Sequence, residues 1–106
     1  SVNRLLLDRA QSISESAFAS GATAETLHSL GRVYLAKRET DKAVELLEKA
    51  RDLAPRKAEI LSDLGAAYLE KSRAPQMIGT PARARVLNDA LENFDRALEI
   101  APDLPE

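Results

Sequence analysis

Apolar residues along this 106-residue chain recur every three or four positions and nowhere alternate with a period of two over a strand's length. Leu6, Ala10, Ile13 and Ala17 form one such stripe, predicting a helix over Val2 to Ser20 that Gly21 is suited to end. A second helix opens at Thr23 and turns Leu27, Leu30, Tyr34 and Leu35 to one side. Thr26 is too short a side chain to complete a capping box with Thr23. After a turn at Arg38-Glu39-Thr40-Asp41, with Thr40 or Asp41 as N-cap, a third helix carries Ala43, Val44, Leu47, Ala50 and Leu53. Pro55 stops it, because proline cannot continue a helix. A fourth begins near Arg56 with Ile60, Leu61, Leu64, Tyr68 and Leu69. Arg73 to Gly79 is loop by its Pro and Gly content. Thr80-Pro81 then reads as N-cap and first-turn proline of a fifth helix, running to about Ile100. Its stripe is Ala84, Leu87, Ala90 or Leu91, Phe94, Ala97 and Leu98, and Pro102 and Pro105 close it.

Within this pattern one spacing occurs twice. Leu30, Gly31, Tyr34 and Leu35 are followed by Ala43, Leu47, Ala50 and Pro55. Leu64, Gly65, Tyr68 and Leu69 are followed by Ala90, Phe94, Ala97 and Pro102. Gly31 and Gly65 stand 34 residues apart, a period that signals stacked helical hairpins. A glycine inside a helix costs about 1 kcal/mol relative to alanine. Its appearance at two equivalent positions implies a neighbouring helix too close to tolerate a Cβ, and the small residues Ala43 and Ala50 imply the same. The second copy carries 13 additional residues between its halves, within Ser72 to Arg85.

These residues resemble the tetratricopeptide repeat over Ala24 to Ile100. The key positions are Leu27, Leu30, Gly31, Tyr34, Ala43, Leu47, Ala50 and Pro55, then Leu61, Leu64, Gly65, Tyr68, Ala90, Phe94, Ala97 and Pro102. The resemblance implies an all-α, right-handed α-α superhelix of about five helices in one domain. Residues 1–22 would form an N-terminal capping helix or the second helix of a degenerate preceding repeat. Residues 23–57 would form one repeat, and 58–102 a second with its insertion within 72–85. It also implies a protein–protein interaction or scaffolding module, with a peptide or helix bound in a concave groove. Carried over position by position, the groove residues are Glu25, His28, Ser29, Arg32, Leu35 and Ala36, then Glu59, Ser62, Asp63, Ala66, Leu69 and Glu70. Family members that grip a C-terminal carboxylate use Lys and Asn where this chain has His28, Arg32 and Asp63, so that clamp is absent in its usual form. Arg32 retains the capacity to hold an acidic group by a bidentate contact. The stretch Leu61 to Leu69, followed by the long insert and Asn93 to Pro102, also resembles repeat segments of large bacterial proteins with a CHAT caspase-like domain elsewhere. The chain is thus expected to be a piece of a larger protein, and the rival reading is a regulatory segment of an enzyme whose protease lies outside it.

Composition narrows the chemistry. The net charge is −2 with both signs interspersed, which gives no basic stripe for nucleic acid. No apolar run approaches the roughly 20 residues of a membrane span. Without cysteine there is no disulfide or thiolate metal site, and the compartment stays open, a cytoplasmic one being favoured. His28 is the single histidine. With Ser29 or Ser62 it would be the only nucleophile–base pair, lacking the orienting acid and closed cleft that catalysis needs. No catalysis, metal or cofactor is expected. Met77 and Ile78, apolar residues in a loop, either fold back on the lengthened helix or form a contact patch. Leu87, Leu91 and Leu98 are where an uncovered apolar edge on the terminal helix would show, and with it self-association.

Overall fold

The computed structural model describes residues 1–102, so the expectation for Pro105 lies outside the described residues. Five helices follow in order: α1 (Val2–Ser20), α2 (Ala24–Ala36), α3 (Thr40–Leu53), α4 (Ala58–Ser72) and α5 (Pro81–Ile100). A single 3-10 turn, Pro75–Met77, lies in the long α4–α5 connection. Among the described residues there is no strand. α2 packs most extensively on α3, and α4 on α5. α1 meets α2, and α3 meets α4, in a second and lesser kind of contact. The fold is therefore two helical hairpins in series, preceded by one helix.

The two mid-helix glycines are explained by what faces them. A Cβ on Gly31 would lie 2.8 Å from Leu47 Cγ, and one on Gly65 would lie 2.7 Å from the Phe94 ring. Both distances are shorter than a carbon–carbon contact tolerates, so each hairpin closes only because that side chain is missing. Leu47, Ile60, Leu61 and Leu64 are fully buried around these closures, with Ala43, Ala50, Ala67 and Ala90 packed between them. The α2–α3 turn is made by Arg38 at φ 68°, whose N–H bonds Leu35 O while the Glu39 N–H bonds Tyr34 O. That is a helix-ending pattern usually given to glycine. α3 ends at Leu53 because Ala54, which precedes Pro55, leaves the helical region.

Several local expectations are corrected. Thr23 and Thr26 do form a reciprocal capping box: Thr26 N–H donates to Thr23 Oγ1 at 3.1 Å, and Thr23 N–H to Thr26 Oγ1 at 2.9 Å. The short threonine hydroxyl reaches. Glu39, rather than Thr40 or Asp41, is the N-cap of α3, with no side-chain bond. Thr80 occupies the N-cap of α5, but its hydroxyl donates backwards to Met77 O at 2.7 Å. Leu53 and Ala84 face solvent. On α5 the covered positions are Ala90, Asn93 and Ala97, with Phe94 half-buried, while Leu91 and Leu98 are exposed. Asn93 is buried without penalty because its amide donates to Asp89 O at 2.7 Å.

The largest correction concerns α1. Three of its four expected stripe residues point outward, Leu6 at 60% and Ile13 at 65% exposure with Ala17 also exposed, and only Ala10 is half-buried. The side laid on α2 is Leu7, Ala10, Gln11 and Ser14. It is held by polar contacts. Ser14 and Ser29 share a hydroxyl bond of 3.3 Å, Gln11 reaches the Tyr34 hydroxyl and Lys37, and Lys37 Nζ lies 2.9 Å from Asp8. The same device recurs 34 residues on, where the Tyr68 hydroxyl donates to Glu48 and Lys71 Nζ lies 3.7 Å from Asp41. Each first helix of a hairpin thus reaches back with a tyrosine and a lysine to the helix before it.

Candidate functional site

The first helices of the two hairpins, α2 and α4, bring several of the expected groove residues together. His28 Nε2 lies 2.5 Å from Asp63 Oδ2, and Arg32 Nε lies 3.6 Å from the same oxygen. One carboxylate therefore ties two turns of α2 to α4. His28 is largely covered there, while the Arg32 side chain remains 67% exposed. Two turns further along α4, Arg38 and Arg73 flank Glu70 at 3.2 and 3.3 Å. Beside these charges run two shallow depressions that meet at Ala36. One is bounded by Leu7, Ser29, Arg32 and Val33, the other by Leu35, Arg38, Ala66, Glu70 and Arg73. The floor is small and apolar, and the rim is charged.

Not every expected groove residue joins it. Glu25 sits exposed in the first turn of α2. Glu59 borders a different depression, beside Ala54 to Ala58 and Ile100. Ser62 is half-buried and lines neither depression, His28 and Asp63 border them only through their contact with each other and with Arg32, and Leu69 packs against the core. In the inserted segment Met77 is half-buried and borders a polar hollow with Arg38, Asp41 and Lys71, whereas Ile78 is 65% exposed. Sequence reasoning missed Leu7, Val33, Arg38 and Arg73. The signal for Leu7 lay in carrying the 34-residue register back into α1, where Leu7 corresponds to Asp41 on the α4-facing side of α3.

With helical hairpins joined in series, a glycine under each closing residue and first helices lining a common depression, the architecture is that of a helical repeat. Residues 24–57 match the tetratricopeptide repeat family model. The match takes in α2, α3 and the turn into α4, and supports a protein–protein interaction module. The second hairpin, α4 and α5, lies outside the matched residues. No curated protein matches the chain.

Two further features bear on chemistry. Among the described residues no three His, Asp or Glu side chains gather as a metal site would need. No described helix is long and apolar enough to cross a membrane. Among the described residues the strongly displaced titration is that of Tyr68: burial, and then its hydrogen bond to the Glu48 carboxylate, push the phenol up to about 12. An unfolded tyrosine ionises near about 10. The contribution to stability is therefore intact below about pH 10 and is lost as pH rises towards about 12. Replacing Tyr68 by phenylalanine is expected to flatten that loss, read as urea midpoints compared at about pH 9 and pH 11. An unchanged alkaline slope would contradict the assignment. Asp8 moves the other way, its carboxyl lowered chiefly by the hydrogen bond from Lys37.

Proposed function

We propose that this segment is a protein-interaction module that takes a peptide or a partner helix along the depression shared by α2 and α4, with Leu7 of α1 as its outer wall. The observation that carries this reading is the continuity of the two depressions through Ala36, with half-buried Leu35 and Ala66 as floor and the largely exposed Arg32 guanidinium at its side. An apolar floor supplies burial, and Arg32, Arg38 and Arg73 against Asp63 and Glu70 leave the rim with one surplus positive charge. A ligand with small apolar side chains and an acidic group suits it. The parent polypeptide is proposed to be larger, with this module recruiting or positioning a partner for it.

The test is capture from source-cell lysate by the immobilised chain, with an Arg32→Glu/Asp63→Lys variant beside it. The exchange keeps an opposite-charge pair across α2 and α4 and leaves the net charge of the rim unchanged, but removes the exposed positive charge at position 32. A protein retained by the wild type and reduced about tenfold or more by the variant is the expected result. Identical lists from both baits would remove the groove from consideration and point to a segment acting on its own polypeptide.

A further inference from the structure

The two end helices expose matching apolar edges. On α1, Leu6 and Ile13 are 60% and 65% exposed, and Arg9 stands between them on the same stripe, also exposed. On α5, Leu91 and Leu98 are 60% and 52% exposed, and exposed Asp95 stands between them. Neither Arg9 nor Asp95 has an ion-pair partner among the described residues. The steps from Leu6 to Arg9 to Ile13 are three and four residues. The steps from Leu98 back to Asp95 and Leu91 are also three and four. Laid antiparallel, the two helices therefore set Leu6 against Leu98, Arg9 against Asp95 and Ile13 against Leu91, with equal rise along each axis.

We propose that the chain self-associates head to tail, α1 of one copy lying antiparallel on α5 of the next. Charge decides the occupant. Pairing α1 with a second α1 about a twofold places Leu6 against Ile13 but brings two Arg9 side chains together. Pairing α5 with α5 brings two Asp95 carboxylates together. Only the α1–α5 pairing satisfies both charges and covers both apolar edges. Such an interface is heterologous, so each added copy offers a fresh edge, and the product is an open series or a ring rather than a closed dimer. A single helix–helix contact falls at the low end of interface size, so the association is weak and reversible. It uses none of the groove residues and stands independently of the groove reading.

Sedimentation velocity of the full chain over a concentration series tests this. The wild type is expected to show a weight-average mass that rises with concentration past that of a dimer. Ile13→Asp blocks the α1 edge and Leu91→Asp the α5 edge. Both sites are exposed, so the circular dichroism and melting temperature of each variant should match the wild type. Each variant alone is expected to remain monomeric, and an equimolar mixture to form a dimer and stop there, because one intact edge remains on each. Arg9→Asp should weaken association about tenfold, and the Arg9→Asp/Asp95→Arg double variant should restore it. A wild type that stays monomeric to about millimolar concentration would overturn the proposal. So would a mixture that stays monomeric, or single-edge variants that still associate alone.

Discussion

Truncating Leu47 to alanine is expected to destabilise the chain by about 3 kcal/mol, within the range of leucine deletions from closed cores. Leu47 has no exposed surface, so the space it leaves fills only if α2 and α3 move together. The same side chain faces Gly31, which makes the pair a test of why the glycine is there. Gly31→Ala alone gains about 1 kcal/mol of helix propensity. It must also force a Cβ to 2.8 Å from Leu47 Cγ, an overpacking that costs about 1–3 kcal/mol. The net should be a loss of about 1 kcal/mol. In the Leu47→Ala background the nearest atom left to the new Cβ is Ala43 O at 3.6 Å, an ordinary contact, and the propensity gain should then show. Urea denaturation of the four proteins should thus give a coupling of about 2 kcal/mol. Simple additivity would mean that Gly31 is not held by close approach.

Gly65→Ala is the harder substitution, with an expected cost of about 2–3 kcal/mol. Here the added Cβ meets three atoms of one aromatic ring, at 2.7, 2.8 and 3.0 Å. A leucine can turn its branch aside, but a phenyl ring must move as a plate. Phe94 is only half-buried, so its escape route is outward, at the expense of the contact between α4 and α5. Phe94→Leu, which gives the second hairpin the residue used by the first, should recover part of the loss in a Gly65→Ala background. If Gly65→Ala proves neutral or stabilising in thermal melts, helix propensity has won and the close-packing account of both hairpins fails.

These two positions also show what the sequence discloses well. A mid-helix glycine opposite a bulky residue, repeated at a fixed interval, has no local reason to exist, so its cause must be another helix. The interval itself then orders the elements. Leucine patterning was a poorer guide at the ends of the stack. Of the stripe expected on α1, Leu6, Ile13 and Ala17 face outward and only Ala10 is half-buried, whereas on α5 Ala90 and Ala97 are covered and the apolar edge anticipated at Leu91 and Leu98 is exposed. An end helix has neighbours on fewer sides, so its apolar content and its buried content need not coincide. Polar Gln11, Ser14 and Asn93 occupy covered positions because each finds a hydrogen-bond partner there. The repeat set His28 and Arg32 on one helix and Asp63 on the other, but it did not disclose that they touch. The contact joins Asp63 through one carboxylate to His28, 35 residues before it, and to Arg32, and nothing in the local sequence of either helix announces it.

The way α1 is held has a consequence for the depression beside it. The attachment is a hydroxyl pair, an amide and an ion pair, with Leu7 and Ala10 as the apolar part, whereas every other helix contributes buried apolar residues to the core. Opening free energy is lowest where covered apolar area is least, so α1 is the first helix to leave the fold. Leu7 leaves with it, and the half of the depression between α1 and α2 disappears while the half between α2 and α4 stays intact. On the proposed groove reading, occupancy of the outer half and attachment of α1 would be linked equilibria, each strengthening the other by the same factor. A ligand confined to Leu35, Ala66 and Glu70 is blind to this, whereas one long enough to touch Leu7 meets a wall that it must itself help to hold in place.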